Sequence, residues 1–109
     1  MRTRVMVSAT IRPGDEEAFE RDFATMSARM KGTQGLIRDE LLRHSTGQDV
    51  MRGAEPDPDV GGTGYVLLSE WESREAFLAW ERGSKHMRSP YWAGRAQRRI
   101  YEVVHPRDP

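Results

Sequence analysis

The chain has 109 residues, which is enough for one domain and too few for two ordinary ones. Its 17 basic and 17 acidic side chains give a formal net charge of +0, so no overall field favours nucleic acid or an anionic membrane surface as a partner. The sequence contains no cysteine, which excludes disulfides, thiolate nucleophiles and cysteine-ligated metal sites and is compatible with a cytoplasmic protein. No apolar run approaches the roughly 20 residues that a membrane span needs.

The first third of the chain predicts a strand followed by a helix. Residues 3–11 alternate between apolar and mixed positions with a period of two, which is typical of a strand. Pro13-Gly14-Asp15 ends this strand, and the acidic residues 15–17 favour a helix amino terminus. An apolar stripe then runs along the helix, which we expect to stop near Gly32. The stripe consists of Phe19, Phe23, Met26 and Met30.

A second strand is predicted from Gly35 to His44. The adjacent pairs Leu36-Ile37 and Leu41-Leu42 would also suit a helix, but the position in the chain favours a strand. Residues 45–63 are rich in Gly, Asp and Pro and have no sustained apolar period, so they predict a long connection. Such a connection could be disordered, cover a pocket or extend to a neighbouring subunit.

The last part of the chain predicts a strand, a helix and a final strand. Gly64 to Trp71 is an apolar strand, and Ser73 can cap a helix that reaches roughly Gly83. A helical turn at 84–87 and another helical piece at 91–97 follow, and residues 99–105 alternate as the final strand.

The predicted order β-α-β-β-α-β defines the fold class. It is the α+β, ferredoxin-like order, in which two helices cover one face of a four-stranded antiparallel sheet. We expect one such domain over residues 1–105 and a short tail at 106–109. Met6, Leu68 or Leu67, and Val66 or Tyr65 leave either face of the sheet apolar, so a second copy that packs against the uncovered face would explain the pattern; tolerance of exposed apolar atoms is the alternative.

Residues 68–86 carry a resemblance to a known family. Trp71-Glu72-Ser73 forms a turn into an aromatic-rich helix, and Ser84-Lys85-His86 follows it. This arrangement resembles the antibiotic biosynthesis monooxygenase family, whose members form a dimeric α+β barrel. The resemblance implies a homodimer, with a small-molecule pocket inside each subunit between the sheet and its helices.

The resemblance also implies a set of site residues. The catalytic candidates are His86 and Trp71, and the substrate-binding candidates are Ser8, Tyr65, Leu67, Phe77 and Trp80. Indole rings such as those of Trp71 and Trp80 suit a planar aromatic ligand, although plain core packing is the alternative. His86 could act as a general base on a phenol, or it could simply cap a helix.

The chain departs from the family pattern at four positions. Leu67 and Phe77 stand where cofactor-free members have a strand asparagine and an aromatic hydroxyl. Pro90 and Ser8 stand where haem-degrading relatives have a histidine and an asparagine. Pro90 and Ser8 argue against haem, and the sequence has no G-x-G-x-x-G motif or phosphate-binding loop for a nucleotide or flavin, so we expect no cofactor. The three histidines are scattered without metal-ligand spacing, so no metal is expected either.

The sequence thus predicts a cofactor-independent monooxygenase that oxidises an aromatic polyketide-like substrate with dioxygen in antibiotic or secondary-metabolite biosynthesis. A polyketide cyclase of the same barrel fold and a non-catalytic ligand-binding protein are alternatives, and a haem-binding or haem-degrading oxygenase is a further one. The cluster Arg95, Arg98 and Arg99 could bind a carboxylate or phosphate, or it could be a solvated helix end.

Overall fold

A computed structural model describes residues 1–44, 62–83, 90–94 and 96–107. Four strands form one antiparallel sheet in the order β2-β3-β1-β4, and two helices pack on it. The elements are β1 (Thr3–Ile11), α1 (Glu16–Met30), β2 (Leu36–Arg43), β3 (Thr63–Trp71), α2 (Arg74–Gly83) and β4 (Gln97–Glu102). The predicted α+β, ferredoxin-like fold is confirmed.

The two faces of the sheet differ because successive strand residues point to opposite sides. On β1, Val5, Ala9 and Ile11 are buried beneath the helices, on what we call the helix side. Met6 and Ser8 point the other way, to what we call the open face. The apolar residues predicted for one face of β1 therefore do point into the hydrophobic core.

Both helices begin and end as their sequences suggest. Two acidic residues occupy the first turn of α1, and Phe19 is its buried residue. In α2 the backbone N–H of Ala76 donates to Ser73 Oγ over 3.1 Å, so the predicted cap is confirmed. Phe77 is then carried to the buried side of α2.

The prediction of a helical piece at 91–97 is wrong. Trp92 forms an isolated antiparallel bridge with Ile11, and the N–H of Ala93 donates to the carbonyl of Thr10 over 2.7 Å. β4 pairs only with residues 3–8 of β1, so this short segment satisfies backbone groups farther along the same edge. β4 itself lies at 97–102, earlier than the predicted 99–105.

Two predicted segments lie largely or wholly outside the described residues. They are the long connection, of which 45–61 is not described, and the helical turn at 84–87. Among the residues that are described, no helix has the length and apolar character to cross a membrane.

Candidate functional site

Aromatic residues from β3 and α2 meet at one end of the helix side. The rings of Trp71 and Phe77 are 5.6 Å apart, and those of Trp71 and Trp80 are 5.5 Å apart. We call these three residues the aromatic cluster. Val5 completes its buried part, and Trp80 is only partly buried. Trp80 is therefore the member of the aromatic cluster that retains exposed indole surface.

Trp71 is fully enclosed, with 0% of its surface exposed. Its indole Nε1 donates to Ser69 Oγ over 2.9 Å, so its polar group already has a partner. Trp71 thus supports the rings of Phe77 and Trp80 from the interior of the protein. A ligand on this side of the sheet would meet Trp80 before it met Trp71.

A second apolar group lies at the other end of the helix side. It contains Ile11, Phe19 and Tyr65, with the Phe19 and Tyr65 rings edge to face at 5.0 Å. The Tyr65 hydroxyl donates to Glu20 Oε2 over 2.5 Å, and Arg43 approaches the same oxygen at 3.3 Å. Burial, reinforced by the Glu20 carboxylate, raises the pKa of Tyr65 to about 12. Tyr65 therefore remains a neutral donor at physiological pH.

A row of residues crosses the sheet between these two groups. Strand pairing joins Leu41 to Leu67, Leu67 to Val7, and Val7 to Arg98, all on the helix side. We call these four residues the central row. Val7 and Leu67 are only half-buried. The central row lies four residues, or about 13 Å along the strands, from Trp71 at one end and from Ile11 at the other.

Arg98 is the charged member of the central row. Its guanidinium carbon lies 5.6 Å from the centroid of the Phe77 ring, within cation–π range. The same guanidinium forms an ion pair with Glu81 of α2. This contact places a positive group beside the aromatic cluster, on the edge strand β4.

Trp92 was not among the predicted site residues, yet it borders the second apolar group. Its indole N–H is buried and has no acceptor among the residues that the structure describes. An unused buried donor is costly and suits a ligand acceptor. Pro90 and Gly94 flank it and argue against a helix, which is the signal that could have placed it in an extended segment.

The structure brings some of the predicted site residues together. Trp71, Phe77 and Trp80 form the aromatic cluster, while Leu67 and Tyr65 lie farther along the same side. Ser8 does not join them, because it is exposed on the open face. Its neighbour Val7 occupies the helix-side position instead. His86 lies outside the described residues.

Metal ligands are not gathered anywhere in the part of the chain that is described, where no three His, Asp or Glu side chains form a group. The two described histidines, His44 and His105, are exposed at the end of β2 and in the C-terminal tail. A separate groove of about 560 Å³ lies beside the start of β1 and the end of β4. It is lined by none of the predicted site residues.

Fold and site together define a small α+β protein whose helix side is aromatic and largely apolar. The sequence profile of the antibiotic biosynthesis monooxygenases matches residues 3–89, and the chain belongs to that family. No curated protein sequence matches the chain.

Several solved structures share this fold. A Bacillus cereus protein assigned to the antibiotic biosynthesis monooxygenases has a TM-score of 0.71 at 18% identity, covering 99% of this chain and 98% of that one. The haem degrader MhuD from Mycobacterium tuberculosis has a TM-score of 0.63 at 26% identity, covering 96% and 99%. SnoaB from Streptomyces nogalater, a cofactor-independent oxygenase solved as a point mutant, has a TM-score of 0.61 at 16% identity, covering 96% and 95%.

Proposed function

We propose that this protein is a cofactor-independent monooxygenase that oxidises a polycyclic, polyketide-like phenol to a quinone in antibiotic or secondary-metabolite biosynthesis. The observation that carries the proposal is the pair Val7 and Leu67, half-buried between the aromatic cluster and the second apolar group, in a chain that belongs to a monooxygenase family. Half-buried aliphatic side chains between aromatic rings suit contacts with a flat apolar ligand. SnoaB, which shares the fold, is itself a cofactor-independent oxygenase.

The proposed reaction needs no external reductant. The ionised phenol supplies electrons to dioxygen, one oxygen atom enters the ring as the new carbonyl, and the other leaves as water. The protein's task is to hold the ring, exclude water and remove the phenolic proton. We assign the proton removal to His86 and the ring contacts to Trp80, Phe77 and Leu67, with Trp71 as their support.

An oxygen electrode with dithranol, a tricyclic phenol, tests this function. We expect oxygen uptake to match quinone formation one to one, as the balanced reaction requires. His86→Ala should slow turnover, whereas His105→Ala, the same change at a tail histidine, should not. Trp80→Ala should weaken dithranol binding more than His86→Ala does.

Other results would replace this proposal with a named alternative. Conversion of an open polyketide chain without oxygen uptake would indicate a cyclase. Binding of a substrate without its conversion would indicate an accessory protein. A Soret band after mixing with haem, lost in His86→Ala, would indicate the haem chemistry of which MhuD is an example.

We further propose that two copies pack through their open faces. Leu42, Val66, Leu68 and Met6 form an apolar patch there, and Leu42 remains 44% exposed in the single chain. Covering such a patch is favourable, and a small domain with few buried side chains gains from it. Glu70 lies at one end of the patch, only 4% exposed, paired with Arg4 at 2.8 Å and Arg38 at 3.6 Å.

Charge also favours a second copy as the partner. One register row reads Glu40, Leu68, Met6 and Arg99 from one sheet edge to the other. A two-fold axis parallel to the strands would set the acidic edge of one copy over the basic edge of the other. Sedimentation velocity should show a dimer, which Glu40→Arg or Arg99→Glu weakens and the double swap restores. A monomer at all concentrations would contradict this assembly.

A further inference from the structure

We propose that Arg98 recognises an anionic substituent, a carboxylate, on the aromatic ligand, and that Glu81 holds its place in the free protein. This assignment rests on the proposed function, because it concerns the same side of the sheet. It narrows the substrate class from a planar phenol to a planar phenol that carries an acid group.

The position of Arg98 is the first reason. Pairing with Val7 places Arg98 in the central row, where the other three members are Val7, Leu67 and Leu41. The Arg98 side chain is 44% exposed in the free protein, and a flat ligand that covered it would need to supply an anion to offset the lost water. Arg98 is therefore the polar group that a flat ligand lying along the central row would meet.

The contacts of Arg98 are the second reason. Its guanidinium lies 5.6 Å from the Phe77 ring centroid and pairs with Glu81. Arginine binds a carboxylate through two parallel N–H groups, and stacking on a ring holds that fork in a fixed plane. Glu81 already places one carboxylate oxygen on Nη1 of this guanidinium, so the position is suited to a carboxylate from a ligand.

The aromatic cluster supplies the third reason, because it sets the distance between the ring system of the ligand and its acid group. Phe77 contacts Arg98 and also lies 6.2 Å from Trp80, ring centroid to centroid. A ring system resting on Trp80 would thus carry its substituent within reach of Arg98. The carboxylate of the ligand would then replace the Glu81 carboxylate on the Arg98 guanidinium. No covalent bond is made or broken.

Two fluorescent probes of equal shape test the inference. Anthracenecarboxylate and anthracenemethanol, substituted at the same ring carbon, are titrated against the whole chain by quenching of tryptophan emission. We expect the wild type to bind the acid more tightly than the alcohol. Arg98→Gln should weaken binding of the acid about tenfold or more, since a charge-assisted pair is lost. Binding of the alcohol should change by less than about twofold, because ring contacts remain.

Three further variants make the result specific. Arg98→Lys should keep part of the preference for the acid, because charge remains while the two-pronged geometry is lost. Glu81→Gln should tighten acid binding, since it removes the competing carboxylate. Arg82→Gln removes the same charge from the exposed side of α2 and should leave both titrations unchanged.

The outcomes separate this inference from the proposed function. If both probes bind and Arg98→Gln weakens them equally, Arg98 only supports the fold and the inference fails, while the aromatic site stands. An unchanged acid affinity in Arg98→Gln also refutes the inference and leaves the aromatic site standing, because Arg98 then does not contact the acid group. If neither probe binds the wild type, the aromatic site itself is refuted together with the inference.

Discussion

Substituting Tyr65 by Phe should make the stability of this protein depend on pH in a predictable way. The Tyr65 side chain is 2% exposed and donates to Glu20, which raises its pKa from 10.0 to about 12. At neutral pH the Phe variant loses this hydrogen bond. Because Glu20 is 41% exposed and keeps Arg43, water can replace the hydroxyl, so we expect a loss of only about 1 kcal/mol.

Above pH 10 the advantage of tyrosine should disappear. The unfolded chain ionises its tyrosine near the ordinary pKa of 10, whereas folded Tyr65 stays neutral until about pH 12. A pKa that is raised in the folded state stabilises the fold fully below the unfolded value, and this stabilisation is lost as pH rises through the folded value. The rise to about 12 corresponds to roughly 3 kcal/mol. The Phe variant should therefore become the more stable protein near pH 12.

Urea unfolding followed by tryptophan fluorescence, from neutral pH to about pH 12, measures this reversal. The difference between wild type and Tyr65→Phe cancels effects common to both proteins. Tyr101→Phe, the same change at a residue that is 44% exposed on the open face, is the control and should show no reversal. A stability difference that stays constant with pH, or tyrosinate absorbance from Tyr65 at its ordinary pKa, would refute the reasoning.

Two substitutions test the packing around the aromatic cluster. Phe77→Ala should lower the free energy of unfolding by about 3–5 kcal/mol in urea titrations, because a buried ring is replaced by a cavity; Phe77→Leu should cost less than half of that. Gly35→Ala should destabilise more than Gly32→Ala, since both glycines have φ near +87 but a Cβ at Gly35 would lie 2.5 Å from Ala76 Cβ. Equal melting temperatures for the two glycine variants would contradict the close approach.

Local features of the sequence predicted most of the fold. The period of β1 and the cap at Ser73 depend only on neighbouring residues, and both are as expected. The two adjacent apolar pairs in β2, Leu36-Ile37 and Leu41-Leu42, were ambiguous for a physical reason that the structure explains. Register shifts between Leu36 and Arg38, which breaks the alternation, while Leu41 and Leu42 serve opposite faces that are both apolar.

Pairing between distant strands was the part that local reasoning could not supply. The family resemblance selected Ser8 for the site, but a shift of one residue in a strand moves a side chain to the other face. The register with β3 places Val7 beneath the helices and Ser8 on the open face. Trp92 was not predicted as a site residue for the same reason. Its position depends on a bridge to Ile11, which is 81 positions away in the chain.

The same alternation divides the arginines that the sequence presented as one cluster. Arg98 and Arg99 are adjacent on β4, so they point to opposite sides of the sheet. Arg98 lies beside Phe77 on the helix side, and Arg99 lies in the open-face row with Met6. If the helix side binds ligand and the open face binds a second copy, the two substitutions must have separable effects. Arg98→Gln should then change ligand preference without changing the association constant, and Arg99→Glu should do the reverse.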